Sequence, residues 1–337
     1  MAENIPGGLD LQALQKLPLS VKLCETVISA IQKAIYKDRV FNSFEPMRPA
    51  KRAVKENGQL MVTEICYGTR FMNSYLDITY PNEDTTVKRP TVFYTHGGGF
   101  FGGSKTMGDP MAAGDDANFM FEDIVKAGYN FVNVDYVLTP EGHFPDQLMQ
   151  LTEAIDFCAE HAEEYGLDMT NVVVMGSSAG AILTGQYGAL HANAKYREEL
   201  GIAPKIPSDH IKCLIVDDAP FRPEKFNWAL KAMMGNFLQT TDMCSERATL
   251  FNAYAWFNGS MKPCFFDAGP KDGFPEDMQA CGDKLTELGV ENEVYIPENK
   301  ELPHGFLNLA RTDAEAAEGE RRVIAFMDKY TDMGTFR

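Results

Sequence analysis

From about residue 60 to residue 330, short β-branched and aromatic runs alternate with longer segments whose apolar positions recur every three or four residues. The short runs predict strands at Met61–Tyr67, Ser74–Tyr80, Thr91–Thr95, Phe131–Tyr136, Val172–Met175, Ile211–Val216, Cys264–Ala268 and Glu293–Ile296. The longer segments predict helices over 112–127, 145–165, 179–192, 276–288 and 314–329. Strands separated by helices of this length imply right-handed crossovers and a mostly parallel sheet flanked by helices, an α/β class. The first two strands, joined through the turn Pro81-Asn82-Glu83-Asp84, are expected as antiparallel additions at one edge.

Two regions fall outside the alternation. Residues 9–36 carry Leu9, Leu11, Leu14, Leu17, Val21, Val27, Ile28 and Ile31 at mixed three- and four-residue steps, and Pro18 and Ser20 mark a break between one helix and the next. Residues 219–260 hold both tryptophans, Trp228 and Trp256, among apolar and aromatic positions at helical spacing. An excursion of that length from a strand end predicts a helical cap over a site at the sheet edge. The expected organisation is an N-terminal helical segment over 1–45 and a main domain over 46–337 with the cap inserted near 219–260.

Candidate chemistry gathers where strands end. Val172-Val173-Val174-Met175 runs directly into Gly176-Ser177-Ser178-Ala179-Gly180 and then into the Ala/Leu-rich helix. This Gly-x-Ser-x-Gly in a strand-turn-helix setting has the form of a nucleophile elbow with Ser178 at its apex. A serine nucleophile needs a base to take its proton, an acid to orient the base and donors for the oxyanion. On elbows of this kind the acid and base follow the serine in the chain. Of the later histidines, His191 lies on the helix that leaves the elbow and His210 precedes a strand, at the wrong end of the sheet. His304, in Leu302-Pro303-His304-Gly305-Phe306 after the last strand, is the expected base.

Asp272, just past the strand ending at Ala268, is the expected acid. Its rivals are Asp267 within that strand, Asp277 in the next helix's first turn, and Asp217 or Asp218, read as marking the entry to the cap. Upstream, His96-Gly97-Gly98-Gly99 follows a strand. Amides of Gly97, Gly98 or Gly99, joined by that of Ala179, are the expected oxyanion donors.

These motifs, with Asp135-Tyr136-Val137-Leu138-Thr139-Pro140-Glu141 and His143-Phe144-Pro145, resemble the hormone-sensitive-lipase-like family of α/β-hydrolases over residues 60–330. The resemblance implies an α/β-hydrolase fold, carboxylesterase chemistry, a cap built partly from the N-terminal segment, and Ser178, Asp272 and His304 as triad. Four positions depart from the family pattern: Ser177 in place of Asp, Ala181 in place of Gly, Val137 in place of Arg, and Gln150 in place of a carboxylate. They bear on the pocket's polar network and on substrate. Glu141 and His143 read as structural turn residues.

Composition narrows the partners. Lys and Arg number 31 against 48 Asp and Glu, a net charge of −17. That field opposes nucleic acid and anionic membranes as partners. The opening residues lack a basic region followed by an apolar core, and seven scattered cysteines lack Cys-x-x-Cys spacing. A cytoplasmic location with reduced thiols, no metal and no cofactor is expected. The aromatic and Met-rich 219–260 region, with Phe100 and Phe101, points to an enclosed pocket for small or aromatic acyl esters. An amidase, formamidase or peptidase on the same triad, and a non-catalytic ligand-binding protein on the same fold, are the alternatives. A homodimer is compatible with the pattern.

Overall fold

The structure, a computed structural model, describes residues 18–36, 40–106, 119–310 and 312–333. The expected helix over 9–17, and 112–118 of the next, lie outside them. Nine strands form one sheet: β1 (Arg52–Val54), β2 (Leu60–Cys66), β3 (Tyr75–Tyr80), β4 (Arg89–Thr95), β5 (Asn130–Val134), β6 (Leu167–Ser177), β7 (Ile211–Asp217), β8 (Cys264–Asp267) and β9 (Asn292–Tyr295). Their order is β1-β2-β3-β5-β4-β6-β7-β8-β9. Pairing is antiparallel from β1 to β5 and parallel from β5 through β4 to β9.

Among the described residues the helices are α1 (Leu19–Tyr36), α2 (Phe119–Lys126), α3 (Asp146–Glu160), α4 (Ala162–Tyr165), α5 (Ala179–Ala192), α6 (Ala194–Leu200), α7 (Trp228–Phe237), α8 (Glu246–Phe251), α9 (Ala253–Trp256), α10 (Pro275–Glu287), α11 (Phe306–Leu309) and α12 (Ala314–Tyr330). Successive strand residues alternate between the sheet's two faces. Phe93, Val172, Val174 and Val216 pack on the face covered by α3 and α5, while Tyr94, Val173, Met175 and Ile215 pack on the face of α2, α11 and α12. Burial on both faces is why these strands read as near-continuous apolar runs.

Two differences from the expected elements have simple causes. β1 is three residues of Arg-Ala-Val, exposed at its ends, with no period to detect. β6 starts five residues earlier than Val172 because Leu167 and Asp168 pair with Arg89 and Pro90 across a register shift. Asp168, Thr170 and Asn171 there are polar because that end of the strand meets turns, the Asp168 carboxylate accepting from Thr170 N at 2.9 Å.

Between β7 and β8 the 219–260 excursion forms α7, α8 and α9. Helix α1 lies against α7, with Cys24 facing Gly235 and the Thr241 hydroxyl 3.0 Å from that of Ser20. The buried Gln32 amide of α1 donates to Phe101 O and Thr139 O, both at 2.8 Å, and so ties the helix to the glycine loop after β4. None of the described helices is long and apolar enough to cross a membrane.

Candidate active site

Ser178 sits between β6 and α5 with φ 54° and ψ −114°. A serine avoids this backbone unless the surroundings over-determine it, and such strain marks a nucleophile's turn. Its N–H donates to Asp217 O at 2.7 Å, and its own carbonyl accepts from Ile182 N at 3.1 Å. Gly180 is required by contact: a Cβ there would stand 1.9 Å from Thr95 O. Thr95 fastens the turn from β4, its hydroxyl donating to Gly180 O at 3.1 Å. Ala181 is fully buried in the core cluster beneath the elbow, so its methyl is packed and not facing the cleft.

The glycine loop runs close beside the serine. A Cβ on Gly97 would lie 3.1 Å from the Ser178 Cβ. Gly98 has φ 108°, and its carbonyl accepts from Phe101 N and Gly102 N, which curls the loop. Among the described residues no acceptor meets the N–H of Gly97, Gly98, Gly99 or Ala179, where Ala179 opens α5. Unengaged amides at a helix N-terminus and a curled glycine loop are suited to an oxyanion. Phe100 is buried and stacks on Phe237 of α7 at 3.9 Å and 4°, and Met233 of α7 reaches Gly99. The loop is thereby held between the sheet and α7.

Behind the loop lies a charge network that the sequence did not announce. Lys105 is 2% exposed, and its Nζ is 2.9 Å from Glu64 Oε1 and 3.2 Å from Asp135 Oδ2, while its N–H donates to Asp135 Oδ1 at 2.7 Å. Arg48 pairs with Glu64 at 3.1 Å and with Asp77 at 2.6 Å. His96 Nε2 is 3.3 Å from Asp135 Oδ1, and its ring stacks on Tyr136 at 4.2 Å. Burial would push the Asp135 carboxyl up, but Lys105 and then His96 hold it at about 2. Gln150, one of the departures, closes the neighbouring network as a neutral amide. Its Oε1 accepts from Val137 N at 2.8 Å, and its Nε2 donates to Met72 O at 2.9 Å and Ser74 Oγ at 3.1 Å. Glu141 accepts from Asn42 at 2.6 Å, and Asp146 accepts from the His143 N–H at 2.9 Å, a turn role for both.

The pairing around His304 differs from the expected one. His304 is where the sequence puts it, on the loop after β9, its ring edge-on to Phe274 at 5.4 Å and 85°. Its Nδ1, however, lies 3.0 Å from Oδ2 of Asp218, not beside Asp272. The contact is oblique to the N–H direction, as catalytic contacts without substrate often are. Asp218 is fully buried at the end of β7. Its Oδ2 accepts from Gly269 N at 2.9 Å and Gly305 N at 3.3 Å, and its Oδ1 from Phe274 N at 2.6 Å.

Asp272 is exposed and accepts from the backbone N–H of His304 at 2.6 Å. It holds the loop, and Asp218 holds the ring. The physical reason is sheet order: β7 lies between β6 and β8, so an acid ending β7 stands one strand nearer the serine than one following β8. Gly273 leaves the room, since a Cβ there would come 2.3 Å from Asp218 Oδ2. Asp277, another rival, is engaged by Arg222. His191 is on α5 with its titration pushed down to about 4 by burial, and His210 lies in the turn before β7.

Burial alone would lower the His304 pKa, but the Asp218 carboxylate, with Asp217 and Asp272 behind it, raises it above the ordinary imidazole value. A base must be neutral to accept a proton. The acidic limb of a kcat/KM profile is therefore expected to have its midpoint above about 6.5, and a midpoint at or below that value would contradict the assignment. The sign for stability is the reverse of that for activity. The charged His304–Asp218 contact stabilises the fold fully below the unfolded imidazole pKa, and that contribution is lost as pH rises through the folded one.

The same chain matches known proteins in sequence and shape. The BD-FAE family model matches residues 76–221. An AB hydrolase superfamily protein of Schizosaccharomyces pombe is 28% identical over 260 residues, covering 68% of this chain and 72% of that protein. Carboxylesterase NlhH of Mycobacterium tuberculosis is 26% identical over 251 residues, covering 71% of this chain and 73% of that protein. The crystal structure of Esterase B from Lactobacillus rhamnosis superposes with a TM-score of 0.68 at 19% identity, covering 92% of this chain and 93% of that one.

Proposed function

We propose that the chain, which resembles the hormone-sensitive-lipase-like α/β-hydrolases, is a carboxylester hydrolase working through an acyl-enzyme on Ser178. The observation that carries this reading is the convergence on one sheet edge of a strained Ser178, amides without acceptors, and His304 in contact with buried Asp218. Ser178 attacks the ester carbonyl as His304 takes its proton. Asp218 holds the imidazole tautomer and stabilises the imidazolium. Amides of the Gly97–Gly99 run and of Ala179 receive the oxyanion. The protonated His304 then gives its proton to the leaving alkoxide. Water, activated by the same ring, cleaves the acyl-enzyme and restores the serine.

Acyl preference follows from the walls. Phe101 and Met233 crowd Gly99, and Phe274 stands edge-on to His304, so the space beside the reacting carbonyl is bounded by apolar groups. Small or aromatic acyl groups are the expected substrates. With p-nitrophenyl esters of increasing acyl length, kcat/KM is expected to be highest for short or benzoyl-type acyl groups. Ser178→Ala should lower it by at least about 10³-fold. A maximum at long chains would overturn the preference, and unchanged turnover in Ser178→Ala would overturn the mechanism.

A further inference from the structure

Two acids beside the triad have no part in the steps above. Asp217 and Asp267 end β7 and β8 and face one another in the parallel register. Both are fully buried. None of their four carboxyl oxygens receives a hydrogen bond from an amide, and none pairs with a cation, among the described residues. Strand alternation places them on the face of Tyr94, Ile215 and Phe265, whose apolar cluster also holds Leu302, Phe306 and Leu307. The groups facing the pair are the Ser177 hydroxyl from β6, the Tyr94 phenol from β4, Asp218 next in the chain, and His304 from its loop.

Two carboxylates in one dry site cannot both stay ionised, and the stable arrangement is one proton held between them, carboxyl donating to carboxylate. Burial pushes both acids up in the same sense, and the neighbouring Asp218 carboxylate adds to it. We infer that Asp217 and Asp267 form a proton-sharing carboxyl pair that acts as a positioning element for the adjacent Asp218–His304 couple. The pair keeps one buried negative charge near the imidazole, which favours the imidazolium formed as Ser178 attacks. Its shared proton withholds a second charge, which would push against the Asp218 carboxylate and open its contact with His304. Ser177 fits this arrangement. An aspartate there, as the family pattern has, would add a further carboxylate to the same pocket, whereas a hydroxyl adds a donor for Asp217.

The activity readout of this inference rests on the hydrolysis proposed above, and the spectroscopic one does not. Infrared spectroscopy of the folded wild-type protein at neutral pH is expected to show a protonated-carboxyl stretch that persists in Ser178→Ala and disappears in Asp267→Asn. In Asp267→Asn the carboxamide takes over as donor to Asp217, so kcat/KM is expected to stay within about three-fold of wild type. Asp217→Asn/Asp267→Asn removes the charge. Its acidic kcat/KM limb should move to lower pH by about half a unit to one unit, and kcat should fall about ten-fold with KM little changed. A packing role alone would lower stability and leave that limb in place. Absence of the band in wild type, or an unmoved limb in a folded double variant, would overturn the inference. Should the double variant not fold, the band in wild type and its loss in Asp267→Asn decide the matter. Esterase activity absent in wild type with the band present would refute the hydrolase reading and leave the carboxyl pair standing.

Discussion

Asp218→Asn is expected to reduce kcat by about 10⁴-fold while KM changes little, because the acid acts on the transition state through the imidazole and does not touch bound ester. The geometry explains why so small a change costs so much. Each oxygen of Asp218 is an acceptor: Oδ1 for Phe274 N, and Oδ2 for Gly269 N and Gly305 N with His304 Nδ1 beside it. Asparagine has one oxygen. Its amide must therefore oppose either the Phe274 N–H or the group of donors that includes the imidazole, and in neither orientation is His304 held as in the wild type. Leaving a buried donor unmet also costs about 1–3 kcal/mol of stability, so the folded fraction must be measured alongside the rates. Asp272→Asn is the control. It keeps an oxygen to accept from His304 N, and a loss of no more than about ten-fold is expected. If Asp272→Asn proved the crippling change and Asp218→Asn the mild one, the acid would lie after β8.

Lys105→Met should be among the most destabilising single changes in the chain, by about 3–5 kcal/mol, without touching any group that meets substrate. Lys105 is buried with Glu64 and Asp135, and its removal leaves His96 as the side chain facing Asp135 among the described residues. Methionine fills the volume of the stem but supplies no charge. The effect has a pH signature. Asp135 is held at about 2 in the fold against about 3.9 in an unfolded chain, so the stability it contributes is present above that unfolded value and is lost as pH falls toward 2. Without Lys105 that contribution shrinks, and the gap between variant and wild type narrows on acidification. Denaturant melts at neutral and acid pH check both parts. A loss below about 1 kcal/mol at neutral pH would mean that the network carries little of the fold.

Much of this was legible in the sequence because its determinants are local. The β-branched run into Gly176-Ser177-Ser178-Ala179-Gly180 specifies a strand, a turn that only small residues permit, and a helix, and the structure has all three. His304 was legible because it alone among the later histidines follows the last strand. Asp218 was not. Its recognition depends on β7 lying beside β6, on Gly269 and Gly305 turning their amides inward, and on Gly273 leaving space, none of which is a neighbour in sequence. Asp272 has the familiar spacing and a real bond to the His304 loop, so spacing alone favoured it. A signal was present in the Asp217-Asp218 pair at a strand end, a position where two acids need a reason. The Lys105 network was hidden for a similar cause: Arg48, Glu64, Asp77, Lys105 and Asp135 come from five separate segments, and each alone reads as an ordinary surface charge.

In the proposed mechanism Ser178 is a nucleophile activated through His304 and Asp218. The most direct measurement is exposure of the folded protein to a fluorophosphonate probe, with the labelled peptide mapped by mass spectrometry. Stoichiometric labelling on Ser178, lost in parallel with ester turnover and slowed about 10³-fold or more in Asp218→Asn, is the predicted result. Labelling elsewhere, or a folded protein that hydrolyses esters while Ser178 stays unlabelled, would contradict it.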